Sequence, residues 1–378
     1  MKKCVVVSDS FKGTVSSREI CEIAQRVIPR HFPACEVVCI PVADGGEGTV
    51  DCFIQAMGAQ RVEVTVTNAL GEKSAAAYAR IGELAIIEMA AAAGLPQVGA
   101  LRCPGTATTY GVGELIAHAV DSGCRKILLG LGGSATNDGG CGCAAALGVR
   151  FYDAAGQSFV PVGDTLGRIA RIDTAEADEL LRSVEITVMC DVTNPLYGPT
   201  GAAYVFAPQK GADAEKVKSL DAGLRHFGDV IRSQLGIDVS RMPGAGAAGG
   251  MGAGCVALLG GTIQSGIDAV LDVTGFDRQL EGADLVITGE GRIDSQSADG
   301  KVISGVARRT RAKGVPLIAI AGGIADSAGA VYDIGVSAMF STDRAALPVD
   351  MLGARSPGDY EATLSDIMSL IAIAERFA

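Results

Sequence analysis

Short apolar runs broken by glycine-rich polar loops recur along the whole chain. Cys4–Ser8 and Val37–Val42 are β-rich, and each runs into a loop, DSFKGTVSS or ADGGEGT. Stretches with helical spacing follow, Arg18–Ile28 and about Gly48–Met57. Ser16 or Ser17 caps the first helix, Glu19 supports its first turn and Pro29 marks its end. This alternation predicts parallel strands with crossover helices and a crevice at the strands' carboxyl ends. From Arg61 the texture changes: Val62–Thr67, Lys73–Ile81 and Leu84–Met89 read as closely spaced antiparallel strands. A helix within Gly105–Gly123 precedes the strand Lys126–Leu129, the loop Gly130–Gly140 (GLGGSATNDGG) and a small-residue helix, CGCAAALGV. Val184–Cys190 is a further strand, and Ala212–Gly236 an amphipathic helix with Val217, Leu220, Leu224, Phe227 and Ile231 on one face. After the glycine run Gly244–Gly254 the first texture returns. A strand Ala283–Thr288 ends in GEGRIDSQSADGK, a helix runs to about Lys313, and strands Pro316–Ala321 and Val336–Phe340 precede a helix at about Tyr360–Arg376.

Joining the two similar ends gives an α/β fold. A Rossmann-like parallel-sheet domain forms from 1–65 plus 276–378, an α+β domain is inserted over 66–275, and the active site is expected in the cleft between them. A chain of 378 residues exceeds what one core usually serves, which agrees with two domains. With 32 basic against 43 acidic residues and no basic run, nucleic acid is not an expected partner. The 11 cysteines are scattered without a CxxC pair, so they read as core residues in a reducing compartment. MKKCVVVSDS reads as a strand rather than a signal segment, and no apolar run reaches the roughly 18 residues that span a bilayer. A cytoplasmic protein without membrane contact is expected; its oligomeric state is not legible.

Five loop sites combine glycine with a carboxylate, and most follow a strand end. They hold Asp9, Ser10 and Lys12; Asp44, Gly45, Gly46 and Glu47; Gly132, Gly133, Ser134, Asn137 and Asp138; Asp191 and Asn194, with Lys210 of PQKG; and Glu290, Arg292 and Asp294. The glycine run at 244–254 has no acid and offers only backbone. Taken singly, each has an ordinary reading: Asp44 and Glu47 as helix caps, Lys12 as a solvated loop lysine, 290–294 as a surface ion-pair cluster. Their repetition where an α/β crevice opens favours a ligand site.

Familiar nucleotide patterns are absent or out of context. Gly300-Lys301 lacks the Walker spacing, and Gly244-x-Gly246-x-x-Gly249 follows Arg-Met-Pro rather than a strand. Acids for Mg²⁺, cations and backbone N–H groups for phosphates, and a base for an acceptor hydroxyl are the inventory of phosphoryl transfer.

In DSFKGTVSS (Asp9–Ser17), PVADGGEGT (Pro41–Thr49), GLGGSATNDGG (Gly130–Gly140), CDVTNPLYGPTGAA (Cys190–Ala203), APQKGA (Ala207–Ala212), GAGAAGG (Gly244–Gly250) and TGEGRIDSQ (Thr288–Gln296), the chain resembles the type 1 glycerate kinase family. Ala207 stands where the family often has glycine, and Ser297 where it often has threonine. The resemblance implies ATP-dependent phosphorylation of D-glycerate at the 2-hydroxyl, in glyoxylate or sugar-acid catabolism. On charge type, Asp191 and Asp294 are expected to hold Mg²⁺ or orient the acceptor, with Asp44 next as ligand or base. Lys12, Lys210 and Arg292 are expected on phosphate or the glycerate carboxylate, and Gly132–Asp138 as a cradle. A kinase of another small hydroxy acid, a non-catalytic anion-binding regulator and, last, a nicotinamide oxidoreductase are the alternatives.

Overall fold

The apolar runs fold as strands in the computed structural model, which describes residues 1–11, 14–40, 42, 49–298, 302–345, 353 and 355–377, with 52, 55 and 56 as backbone only. In chain order they are β1 (Lys3–Ser8), β2 (Glu36–Cys39), β3 (Gln60–Thr67), β4 (Lys73–Ile81), β5 (Leu84–Glu88), β6 (Lys126–Gly130), β7 (Arg150–Tyr152), β8 (Ser158–Phe159), β9 (Arg171–Asp173), β10 (Glu185–Met189), β11 (Thr262–Gln264), β12 (Leu285–Ile293), β13 (Leu317–Ile324) and β14 (Ala338–Ser341). The chain divides into two units, Met1–Ala43 with Ile267–Ala378, and Asp44–Gly266. The expected 65/66 boundary falls inside β3, whose pairing with β4 places it in the second unit's sheet. No helix among the described residues is long and apolar enough to cross a membrane.

The first unit is a parallel sheet in the order β14-β13-β12-β1-β2. Alternation along β1 sends Val5 and Val7 into one core and Cys4 and Val6 into the other, so both faces are covered and the strand reads as a continuous apolar run. The helix Ser17–His31 forms because Ser16 and Glu19 make a capping box, and its Ile20, Ala24, Val27 and Ile28 are buried. It runs past Pro29, two residues beyond the expected stop. The larger departure is β12, which continues through Gly289–Ile293 rather than ending at Thr288. Glycine there does not make a turn. A methyl at Gly289 would sit 2.1 Å from the Ile320 carbonyl oxygen, so the glycine permits close strand approach.

The second unit holds a six-stranded sheet, β11-β10-β6-β5-β4-β3, and a small antiparallel one, β8-β7-β9. β3, β4 and β5 are antiparallel as their spacing predicts, but β5, β6, β10 and β11 run parallel. This half therefore also has the carboxyl-end edge of an α/β protein. Glu88, Gly130, Met189 and Gln264 lie in register along it, and the loops after β6 and β10 leave side by side.

Candidate active site

The loop after β6 is held from within. Asp138, fully buried, accepts hydrogen bonds from the Thr109 N–H and hydroxyl, both at 2.8 Å, and from the N–H groups of Gly140 at 3.1 Å and Gly142 at 3.3 Å. The N-terminus of the helix Cys141–Ala146 thus already faces an anion, the chain's own carboxylate. Burial pushes the Asp138 carboxyl up, against the lowering effect of those donors. Burial also holds the Cys141 and Cys143 thiols well above their ordinary range, which makes them poor nucleophiles. The accessible part of the loop lies earlier: Gly133 is exposed and Gly132 half-buried.

Lys210 lies behind that part. Only 2% exposed, its ammonium donates to Ser134 Oγ at 2.6 Å and to the Thr136 carbonyl at 2.7 Å. Burial pulls it down to about 7, and Asp138 opposes this through space. Asn137 Oδ1 and Nδ2 and Thr136 Oγ1 are buried without a hydrogen bond among the described residues. Such groups cost about 1–3 kcal/mol each unless a partner is supplied.

The glycine run 244–250 links two of the loops. Gly139 donates to the Gly249 carbonyl at 3.0 Å, and Gly246 to the Asn194 carbonyl at 3.0 Å. Ala248, Gly249 and Gly250 are consecutively left-handed, at φ 53°, 68° and 90°. Beyond β10, Asp191 is exposed and accepts from the Gly266 N–H at 2.8 Å, while the Asn194 amide donates to the Thr200 carbonyl at 2.8 Å.

In the first unit β1 leads outward to β2 and β12 in the other direction to β13, so the topological switch lies between β1 and β12. Asp9 and Ser10 follow β1 there, and the Asp9 N–H donates to the Gly289 carbonyl at 2.9 Å. Asp9 Oδ1 accepts from the Ser10 N–H at 2.7 Å. Glu290, 7% exposed, is the next residue on β12, and Arg292 is exposed two further on. Asp294 opens the turn Ser295–Ala298, its Oδ1 accepting from the Gln296 N–H at 2.8 Å.

The glycerate kinase family model matches residues 4–372. The chain belongs to the glycerate kinase family. It is 46% identical over 377 residues to a glycerate kinase of Bacillus cereus, covering 99% of each chain. It is 45% identical to the glycerate 2-kinase of Escherichia coli, covering 90% of each. A Salmonella typhimurium LT2 crystal structure that carries the name glycerate kinase 2 superposes with a TM-score of 0.87 at 39% identity, covering 99% of each chain.

In this glycerate kinase family member, Gly132, Gly133, Ser134, Asn137, Asp138 and Lys210 gather around one loop of the second unit, with Asp191 and Asn194 on the adjacent one. Asp9, Ser10, Glu290, Arg292 and Asp294 belong to the first unit. Lys12, Asp44, Gly45, Gly46 and Glu47 lie outside the described residues. Two structural departures concern roles: Asp138 caps a helix, and Glu290 and Arg292 sit on a strand rather than a loop. Sequence reasoning missed Thr109, which holds Asp138, and Glu88, whose carboxylate receives the Val50 N–H at 2.7 Å. An acid ending an apolar run, IIE, was the available signal for Glu88.

Proposed function

We propose that the chain transfers the γ-phosphoryl group of ATP to the 2-hydroxyl of D-glycerate, giving 2-phosphoglycerate and ADP. The family match over 4–372 carries this reading. The loop geometry supports it: hydroxyl, backbone and cationic groups converge at Gly132–Lys210, and carboxylates stand at strand carboxyl ends.

Phosphoryl transfer asks mainly for positioning and charge neutralisation. We assign Gly132–Ser134 to an oxyanion of the substrates, and the Asn137 amide to a ligand contact that would satisfy its buried atoms. Among the described residues no three His, Cys, Asp or Glu side chains group as a metal cage. Mg²⁺ uses one or two carboxylates beside phosphate and water. Asp191 fits as an exposed hard-oxygen ligand at a strand end; Asp294 is a second candidate in its own unit. When bound, Mg²⁺ would neutralise charge on the triphosphate. Arg292 and Lys12 are assigned to phosphate or carboxylate, and Asp44 to the proton of the acceptor hydroxyl. We place the enzyme in the cytoplasm, in glyoxylate or sugar-acid metabolism, where its free thiols suit a reducing milieu.

ADP release with D-glycerate, L-glycerate, hydroxypyruvate or tartronate as sole acceptor tests this. D-glycerate should have the highest kcat/KM, and strict dependence on Mg²⁺ is expected. A higher value for another acid reassigns the substrate, and binding without turnover leaves the regulator reading.

A further inference from the structure

The contacts of Lys210 separate two roles that its charge alone does not. An ammonium has three protons to donate, and a serine hydroxyl has one proton and two lone pairs. Two of the Lys210 protons are committed, to Ser134 Oγ at 2.6 Å and to the Thr136 carbonyl at 2.7 Å. Because the ammonium occupies a lone pair of Ser134, the serine's proton must point elsewhere. Ser134 itself is 8% exposed and follows the exposed Gly133, whereas Lys210 is 2% exposed. Ser134, rather than Lys210, is thus the residue that borders the accessible part of the loop.

We propose, resting on the phosphoryl-transfer reading, that Lys210 is a positioning residue acting through Ser134: it fixes the hydroxyl as a charge-polarised donor toward a substrate oxyanion. In this arrangement Ser134 is a donor and neither a nucleophile nor a base. Among the described residues Asp138 is the charged group that acts on Lys210, and it is turned into its own Thr109, Gly140 and Gly142 donors. Burial holds Lys210 at about 7, so the charged form is lost as pH rises through the neutral range.

The test is kcat/KM for both substrates from pH 6 to 9 in wild type, Ser134→Ala, Lys210→Met, Lys210→Arg and the Ser134→Ala/Lys210→Met double variant. Wild type should lose activity on the alkaline side. Ser134→Ala should lower kcat/KM by about 10- to 100-fold and abolish that alkaline limb. The double variant should fall within about threefold of Lys210→Met, since both remove one donor. Lys210→Arg should restore part of the loss and move the limb upward in pH. The substrate whose constant Ser134→Ala changes names the oxyanion, glycerate carboxylate or ATP phosphate. A flat wild-type profile overturns the proposal. So does an alkaline limb retained in an active Ser134→Ala enzyme, or additive losses in the double variant, because Lys210 would then meet the ligand itself. If Lys210→Met does not fold, the wild-type and Ser134→Ala profiles still decide. Wild type inactive on glycerate overturns the parent reading, and this assignment with it.

Discussion

Replacing Gly249 by alanine should damage stability and activity together. Its φ of 68° costs an L-residue about 1–2 kcal/mol. A methyl there would lie 2.1 Å from the Thr136 carbonyl oxygen and 2.5 Å from Asn137 Cα, both backbone atoms that cannot rotate away. Overpacking of this kind adds about 1–3 kcal/mol. The sum, about 2–5 kcal/mol, is a large part of the 5–15 kcal/mol typical of a folded domain. The relief route is displacement of Thr136–Gly139, which also moves the carbonyl that Lys210 holds. Urea unfolding should show the lost stability, and kcat/KM should fall about 100-fold, as for a site misplaced by roughly 1 Å. Ala248, left-handed at φ 53°, is the control: Ala248→Gly relieves strain but loses a buried methyl, for a net change within about 1 kcal/mol. An unchanged midpoint and unchanged kcat/KM in Gly249→Ala would refute the claim that this glycine run supports the loop.

Asp138→Ala should cost about 3–5 kcal/mol in thermal or urea unfolding, since it strands buried donors and leaves Lys210 without its opposing charge; a loss under 1 kcal/mol contradicts the capping role. Asp191→Ala should lower kcat/KM about 100- to 1,000-fold while costing only about 0.5–2 kcal/mol in unfolding, for the lost bond from the Gly266 N–H, and should weaken the apparent Mg²⁺ requirement's saturation; activity within threefold of wild type removes Asp191 from the site. Lys210 is a lysine whose folded value is depressed to about 7, so between there and its ordinary 10.5 the unfolded chain binds more protons. Stability should therefore rise with pH across that window in wild type, relative to Lys210→Met, in urea unfolding at pH 7 and 9; a parallel pair of curves rejects the depressed value.

The strands and helices with periodic patterns were legible because local and tertiary preferences agree there. Ser16 and Glu19 announced the helix Ser17–His31, and the run at Val217–Ile231 announced the helix Ala214–Leu235. GEGRI misled because glycine marks both turns and close strand approach, and only the neighbouring β13 distinguishes them. The parallel pairing of β5 with β6 was hidden for the same reason: partner choice is not local. At the candidate site, residue types single out loops from the sequence, but the surroundings of each side chain depend on burial, which is not local. Asp138 reads as a ligand group until its four donors are seen, and PQKG offers a cation without showing the burial that sets Lys210 on Ser134 and the Thr136 carbonyl. GAGAAGG carried no charge and so no chemical signal, although it supports both neighbouring loops through backbone alone.

The most direct test of the function is time-resolved phosphorus NMR of the protein with D-glycerate, ATP and Mg²⁺. A growing phosphomonoester resonance of 2-phosphoglycerate, matched by ADP, is the predicted result. A 3-phosphoglycerate resonance would contradict the regiochemistry, and ATP left intact over folded protein would contradict the kinase itself.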